Sequence, residues 1–285
     1  MTTAARPPTI RLERVSYVYP RSEVRALDEV ELEIAPGDVV ALVGQNGSGK
    51  STLVRHLNGL LRPTRGEVSF DGDSTRRRTV AELARIVGLV FQDPDRQIFA
   101  GSVRAEVEFG PRNVGLSGAT LRAAVDEALE AIGLADEAGT NPYDLGGSRR
   151  KLLALASVLA MRTPVLVLDE PTTGQDLRGV ATVRRVIDQA AAAGRTVIAI
   201  SHDMEFVAEA FARVVVLREG RLILDGPPAS VFAQDRWDSL ASTYLEAPLA
   251  ARLGARLRLD HVTPTDAALL AALASLGAAG PAGDQ

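Results

Sequence analysis

The feature that most constrains this chain is a glycine-rich segment between an apolar run and a helical pattern. The apolar run Val39–Val43 predicts a buried strand, and the pattern of Thr52–Leu61 predicts a helix. A glycine-rich loop between a strand and a helix is typical of a phosphate-binding loop in an α/β protein. The loop fits G-x-x-x-x-G-K-[ST] and reads Gly44-Gln45-Asn46-Gly47-Ser48-Gly49-Lys50-Ser51.

The residue types in this loop suit the phosphates of a nucleotide. Glycines let backbone N–H groups turn inward, and the N-terminus of the following helix adds positive potential. We expect Lys50 to reach the β- and γ-phosphates and the Ser51 hydroxyl to coordinate Mg²⁺. With Thr52, the loop forms the predicted nucleotide-binding segment. The alternative is a glycine-rich turn with an incidental lysine.

A second buried strand ends in two acidic residues. The apolar run Val165–Leu168 is followed by Asp169 and Glu170. Ligands bind at the carboxyl ends of parallel strands, so both carboxylates would face the phosphate loop. We expect Asp169 to hold Mg²⁺ through water, and Glu170 to accept a proton from the water that attacks the γ-phosphate. Taken alone, the two acids could equally begin a solvated loop.

Polar residues also follow two further predicted strands. Gln92 follows Ile86–Phe91 and would place an uncharged polar group near the metal and the attacking water. His202 follows Thr196–Ile200, and its imidazole would hydrogen-bond the γ-phosphate. A histidine after a strand is more often structural, but emergence at the shared sheet edge favours a role at the phosphates.

The alternation of β-branched runs with helical patterns predicts an α/β core built on a buried parallel sheet. Further helical patterns occupy Leu121–Ile132, Lys151–Met161 and Val180–Ala192. Antiparallel pairing is predicted for Ile10–Tyr19 with Val30–Ile34, and for a hairpin over 214–224 that turns at Glu219-Gly220.

After Pro227 the pattern changes to short amphipathic helices, predicted at Ser230–Phe232, Ser239–Leu257 and Pro264–Leu276. Residues 277–285 are small and polar, which predicts a flexible tail. The basic cluster Arg76–Arg78 is interpreted as a solvated loop.

Composition limits the class of protein. The chain has 285 residues, a net charge of -4 and no cysteine, which disfavours nucleic-acid coating and excludes disulfide scaffolds. No apolar run approaches the roughly 18 residues that a membrane span needs. We therefore expect an intracellular protein whose membrane role, if any, comes through a partner.

In this order, the motifs resemble those of the ATP-binding-cassette family over about residues 10–230. Walker A is Gly44–Thr52, Walker B is Val165–Glu170, the Q-loop contains Gln92 and the H-loop contains His202. The resemblance also assigns a D-loop over 173–176, ending in Asp176. The alternatives among phosphate-loop proteins are kinases and GTPases, and these lack the Q-loop, the H-loop and the D-loop.

The resemblance implies ATP and Mg²⁺ bound between two copies of such a domain and hydrolysed there. It implies catalytic roles for Lys50, Gln92, Glu170 and His202, with Ser51, Gln92 and Asp169 at the metal. Tyr19 falls where the family stacks an aromatic ring on adenine, and Tyr17 is the alternative.

The implied fold is an α/β P-loop NTPase domain of the ABC type over 8–226, with a mixed sheet core and an antiparallel β subdomain. A helical subdomain is expected at about 93–163. A small helical C-terminal extension is expected over 227–276.

Two segments resemble the ATPases of energy-coupling-factor importers for cobalt, nickel and vitamins: 91–99, FQDPDRQIF, and 106–111, EVEFGP. The resemblance implies a second cassette ATPase, a transmembrane coupling protein docked after the Q-loop, and a substrate-binding membrane protein. It implies a peripheral position at the cytoplasmic face of the membrane and no nucleic acid. The family's Asp-Asp-Gln is here Asp95-Arg96-Gln97.

The signature loop departs from the family's Leu-Ser-Gly-Gly-Gln and reads Leu145-Gly146-Gly147-Ser148-Arg149. The family serine donates to the γ-phosphate of the opposing subunit's ATP, which Gly146 cannot do. Ser148 lies two positions further on, and Arg149 would offer a cation instead. We expect a heterodimer with one competent and one weakened site; the alternative is a homodimer, which would have two weakened sites. The alternatives are an altered loop that still works, a non-transport cassette ATPase, and a regulatory ATP-binding subunit.

Overall fold

The computed structural model describes residues 6–20 and 23–278. Its strands are β1 (Ile10–Val18), β2 (Arg25–Ile34), β3 (Val39–Val43), β4 (Arg65–Phe70), β5 (Asp73–Ser74), β6 (Val87–Val90), β7 (Val165–Asp169), β8 (Thr196–Ile200), β9 (Arg213–Arg218) and β10 (Arg221–Gly226). Its α-helices are α1 (Lys50–Leu57), α2 (Val80–Leu83), α3 (Val103–Asn113), α4 (Gly118–Ile132), α5 (Gly147–Leu159), α6 (Leu177–Ala192), α7 (Met204–Ala210), α8 (Pro228–Val231), α9 (Trp237–Ala241), α10 (Leu249–Arg256) and α11 (Asp266–Ala278). Short 3₁₀ turns occupy Thr75–Arg77, Pro94–Arg96, Ala135–Glu137, Pro142–Asp144 and Gln234–Arg236.

The core is a six-stranded sheet in the order β10-β9-β3-β8-β7-β6. All its pairs are parallel except the β9–β10 hairpin, so the predicted mixed α/β sheet is confirmed. Every residue of β7 and β8 is buried, because other elements cover both faces of the sheet. The loops that follow β3, β6, β7 and β8 therefore meet at one edge.

A second, antiparallel sheet has the order β2-β1-β4-β5. Its inner side chains pack with α1 and one face of the main sheet, where Val40 and Leu42 belong to the same buried cluster as Leu53 of α1. Ala41 and Val43 point to the opposite face and pack beneath α3 to α7. The period-two alternation of β3 thus places the loop after it between two cores.

The helical subdomain is formed by α3, α4 and α5, which pack on one another. Helix α5 begins at Gly147, four positions before the predicted start at Lys151. Its first turn is polar, and apolar periodicity does not mark a polar turn. The altered residues Ser148 and Arg149 therefore lie in the first turn of a helix that Gly146 caps.

The C-terminal extension differs from the prediction at one place. The single helix predicted over Ser239–Leu257 is wrong, because α9 and α10 are separated by residues 242–248. Tyr244 in this break has a φ of 57°, and Pro248 caps the start of α10, where a residue without an N–H is tolerated. Phe232 and Leu240 are fully buried in the main core, so the extension packs firmly on it. The predicted tail is wrong at residues 277 and 278, which belong to α11, and residues 279–285 lie outside the described residues.

The basic cluster is exposed at Arg76 and Arg77, as a solvated loop predicts, but two of its side chains also contact neighbouring groups. Arg76 donates to the carbonyl of Pro63 at 2.8 Å, and Arg78 forms an ion pair with Asp73 at 3.1 Å. Two of the three cations therefore stabilise the antiparallel subdomain. In another respect, residues 6–20 and 23–278 contain no helix with both the length and the apolar character that a membrane span requires.

Candidate active site

A cleft of about 310 Å³ opens at the carboxyl edge of the main sheet. Val24, Ala26 and Ile200 also line it, and the sequence did not mark these as site residues. Ten predicted residues line the cleft: Tyr19, Asn46, Gly47, Gly49, Lys50, Ser51, Thr52, Gln92, Asp169 and Glu170.

Two glycines of the loop after β3 are required by close backbone contacts. Gly44 has a φ of 144°, and a Cβ there would lie 2.2 Å from the carbonyl oxygen of Leu217. Gly49 has a φ of 107°, and a Cβ would lie 2.5 Å from the carbonyl oxygen of Ala26. Only glycine permits this loop path, which leads directly into α1.

Lys50 is buried beneath the loop that it belongs to. Its Nζ donates to the carbonyls of Gly44 at 2.6 Å and Gln45 at 2.8 Å. Burial lowers the pKa of the ammonium, while the carboxylates of Glu170 and Asp169 raise it. The cation is therefore held at the centre of the loop, where a phosphate would also be bound.

Asp169, at the end of β7, is 6% exposed. Desolvation raises the pKa of its carboxyl group, and the hydrogen bond from Ser51 opposes this shift. The Ser51 hydroxyl and Asp169 Oδ1 face each other across 3.5 Å. A hydroxyl and a carboxylate beside a phosphate site are a donor set that suits Mg²⁺.

Glu170 is held by its neighbours in a strained backbone conformation, with a φ of 51°. Its Oε2 lies 2.8 Å from Nδ1 of His202 and accepts from the Thr173 hydroxyl at 3.3 Å. The His202 side chain is 62% exposed. In this conformation the imidazole contacts the carboxylate that was predicted to act as the base.

The two candidate aromatic residues occupy different places. Tyr19 lines the cleft, and its hydroxyl lies 3.0 Å from the Thr52 hydroxyl. Tyr17 is buried, with edge-on ring contacts to Tyr19 and to His56. Of the two rings, the structure places only Tyr19 in the cleft lining.

The signature residues do not line the cleft of their own chain. Gly146 caps α5 without a side chain, and the Ser148 hydroxyl donates to Gln175 Oε1 at 2.6 Å. Arg149 is paired with Glu137. In the D-loop, Asp176 accepts from the backbone N–H of Gly179 at 2.7 Å and caps α6. Leu145 is buried in the core.

Lys151 is a site neighbour that the sequence reasoning missed. Its Nζ donates to the carbonyls of Glu170 at 2.9 Å and Thr173 at 2.7 Å. The sequence offered one indication of this role, which is that Lys151 lies just after the signature loop. Its partners are backbone carbonyls, however, and because every residue carries a carbonyl, no residue type in the sequence indicates these contacts. Arg55 was missed as well, and it lines a neighbouring cavity with Gln92 and Asp169.

Comparison with known proteins agrees with this geometry. A family model described as ABC transporter matches residues 27–173. The chain is 44% identical over 264 residues to the energy-coupling factor transporter ATP-binding protein EcfA1 of Symbiobacterium thermophilum, covering 90% of this chain and 91% of that protein. It is 40% identical over 252 residues to a Methanosarcina acetivorans protein named among ABC transporter ATP-binding proteins, covering 88% of this chain but only 41% of that longer protein.

Among solved structures, the chain resembles CbiO1 from Clostridium perfringens, which is part of the ABC transporter complex CbiONQ. The TM-score is 0.73 at 33% identity, with 88% of this chain and 96% of that chain covered. The similarity extends beyond the phosphate loop to nearly the whole of that structure.

We predict that Asp169→Asn makes the folded protein more stable at pH 7 without nucleotide. Folding raises the pKa of this carboxyl, so the folded protein binds the proton more tightly than the unfolded chain does. Ionisation therefore destabilises the fold above that pKa, and the difference between variant and wild type should shrink as the pH falls through it. Thermal unfolding at pH 7 and at lower pH values measures this. Exposed Asp188→Asn on α6 is the control, and a less stable Asp169→Asn variant at pH 7 would contradict the prediction.

Proposed function

The chain belongs to the ABC transporter family of ATPases, and we propose that it powers an energy-coupling-factor importer for a metal ion or a vitamin. The observation that carries the proposal is the meeting of Lys50, Asp169 and Glu170 in one cleft. The chain that forms this cleft aligns with 91% of EcfA1. In this proposal the ATPase acts peripherally, at the cytoplasmic face of the membrane.

The cleft residues would divide the work of hydrolysis among them. Tyr19 would pack on the adenine, while the backbone N–H groups of the loop and Lys50 would bind the phosphates. Ser51, Asp169 and Gln92 would hold Mg²⁺, which neutralises charge on the β- and γ-phosphate oxygens when bound.

Glu170 would accept the proton of the attacking water. A general base must lie within hydrogen-bond reach of that water, and this role is supported by Glu170 lining the same cleft as Lys50 and Ser51. The contact between His202 and Glu170 would orient the carboxylate until a γ-phosphate offers the imidazole a second partner.

An apolar groove beside the Q-loop supports a membrane partner. It has a volume of about 310 Å³ and is lined by residues including Leu89, Phe91 and Met161. Phe99 and Phe109 lie at the groove and are 59% and 50% exposed. Exposed aromatic residues at an apolar groove are typical of a helix-docking site. We assign the groove to helices of a transmembrane coupling protein, which would carry a separate substrate-binding membrane protein.

One residue ties this groove to the helix that begins with the signature. Gln97 accepts from the Phe91 N–H at 3.1 Å and donates to the Ala154 carbonyl at 2.8 Å. The departure at Arg96 is local, because that side chain is exposed and pairs with Asp93. Movement of a docked helix would therefore reach α5 through Gln97.

The signature loop supports an asymmetric dimer. Gly146 offers no hydroxyl, Ser148 is bonded to Gln175, and Arg149 is paired with Glu137. In this conformation the Ser148 hydroxyl has no proton left for an opposing γ-phosphate, and part of the Arg149 guanidinium is occupied by Glu137. The chain would hydrolyse the ATP in its own cleft when a second cassette supplies an intact signature. Its own altered signature would contribute little to hydrolysis of the ATP bound by that partner.

We predict that Glu170→Gln lowers ATP turnover at least about 10²-fold, because a general base typically contributes this much. ATP binding should persist, since the amide keeps the shape of the carboxylate and the phosphate loop is untouched. Turnover and nucleotide affinity are measured on the same preparation. Exposed Glu130→Gln on α4 is the matched control, and unchanged turnover in Glu170→Gln would rule out this base.

We predict that Gly146→Ser raises the ATPase activity of the purified chain alone by about tenfold or more, because a donor to a charged phosphate is restored. Added atoms at Gly146 meet nothing within 4 Å, and serine is a good helix cap, so the fold should tolerate the change. Gly147→Ser is the matched control because that position is equally open. Robust, cooperative activity in the wild-type chain alone would exclude a weakened signature.

The proposed function is tested by affinity purification of the tagged chain from detergent-solubilised membranes of its host. Recovery of a second cassette ATPase with one or two small membrane proteins would support the importer and the heterodimer. Recovery with ribosomal or DNA-associated proteins would favour a non-transport ATPase. A partner cassette with full activity alongside an inactive Glu170 site would favour a regulatory subunit.

A further inference from the structure

We propose that Gln175 is a positioning residue for ATP hydrolysis that binds the altered signature loop to the D-loop. The proposal rests on the proposed ATPase function. Ser148 and Gln175 are 27 positions apart and are joined by two hydrogen bonds. The Ser148 hydroxyl donates to Gln175 Oε1 at 2.6 Å, and Gln175 Nε2 donates to the Ser148 carbonyl at 3.1 Å.

The side chain of Gln175 lies in a place that only a glycine leaves open. Gly179 on the first turn of α6 faces it, and a Cβ at that position would lie 2.0 Å from Gln175 Oε1. The amide is therefore packed against the helix backbone on one side and bonded to Ser148 on the other. Two hydrogen bonds in opposite directions fix both the position and the orientation of the amide.

A second link runs parallel to the first. Lys151, one turn after Ser148, donates to the carbonyls of Glu170 and Thr173. The Thr173 hydroxyl in turn donates to Glu170 Oε2. We call Ser148, Lys151, Thr173 and Gln175 the clasp. It joins the first turn of α5 to the loop that begins with the proposed base.

The clasp also settles what Ser148 can do. A serine hydroxyl has one proton to donate, and here that proton is committed to Gln175. While the clasp is closed, Ser148 cannot replace the missing signature serine as a donor to phosphate. In this proposal its role is to hold the loop in place.

The position of the clasp predicts which kinetic constant it controls. It contacts Glu170 through Thr173 and Lys151, but it does not contact Lys50 or the phosphate loop. Opening it should misplace the base without weakening the binding of ATP. The loss should therefore fall on kcat and leave KM for ATP unchanged.

The test compares Gln175→Leu, Ser148→Ala and the double variant in the chain purified with its partner cassette. Each single variant should lower kcat about fivefold to tenfold, the typical effect of one hydrogen bond. The double variant should lose no more than Gln175→Leu, because that variant already removes the hydroxyl bond that Ser148→Ala removes. Ser148→Thr, which keeps the hydroxyl, should retain activity.

Gly179→Ala opens the clasp without changing either partner. Its kcat should fall like that of Gln175→Leu, while the helix preference of alanine offsets part of the stability lost with the two hydrogen bonds. A merely structural role for the contact would lower stability and leave kcat unchanged. Gln189→Leu, an exposed glutamine on the same helix, makes the same chemical change away from the clasp and should leave kcat unchanged.

Amide hydrogen exchange on the chain alone separates this proposal from the proposed function. Segments 146–150 and 172–176 should exchange faster together in Gln175→Leu and Ser148→Ala, and at the wild-type rate in Gln189→Leu. If wild type shows no ATPase activity with its partner, the proposed function fails and the exchange result still tests the clasp. Additive losses in the double variant, an unchanged kcat or unchanged exchange would overturn the proposal.

Discussion

The site depends on a buried positive charge. The Lys50 ammonium is withdrawn from water, which is costly unless polar groups surround it. Carbonyl oxygens of Gly44 and Gln45 do so at hydrogen-bond distance. They can turn inward only because the loop follows a path that Gly44 and Gly49 permit. The carboxylates of Asp169 and Glu170 offset part of the remaining cost, although burial still lowers the pKa of Lys50. The parallel sheet brings β3 and β7 close enough for these groups to meet.

The same charge explains why the acidic residues are buried together. A lone carboxyl as buried as Asp169 favours its neutral form, and the rise in its pKa expresses that cost. The neighbouring cations Lys50 and Arg55 reduce the cost, and a bound Mg²⁺ would remove more of it. The buried charges of the cleft therefore lower the stability of the folded protein without nucleotide, which is a common feature of catalytic sites.

The departures from the family pattern lie away from the phosphate loop, at the start of α5 and at Arg96 beyond the Q-loop. Gly146 and Ser148 occupy the start of α5, and Gln175 reaches them from the D-loop. The walls of the phosphate site carry none of these changes. The candidate ATP site of this chain can therefore be complete while the face offered to a partner is altered, and this is the physical basis of the asymmetric pair of sites that we propose.

Local pattern alone determined much of this protein. The strands Val39–Val43 and Thr196–Ile200 were predicted with their observed bounds, because continuous apolar runs mark strands buried on both faces. The loop 44–51 and the pair Asp169-Glu170 were identified because their chemistry depends on residues adjacent in sequence. Tertiary structure alone decided which tyrosine lines the cleft, that α5 begins within the signature, and that the C-terminal extension breaks at 242–248. It alone revealed Lys151 and the contact of Ser148 with Gln175. Those features depend on backbone carbonyls and on residues distant in sequence, and neither leaves a local pattern to read.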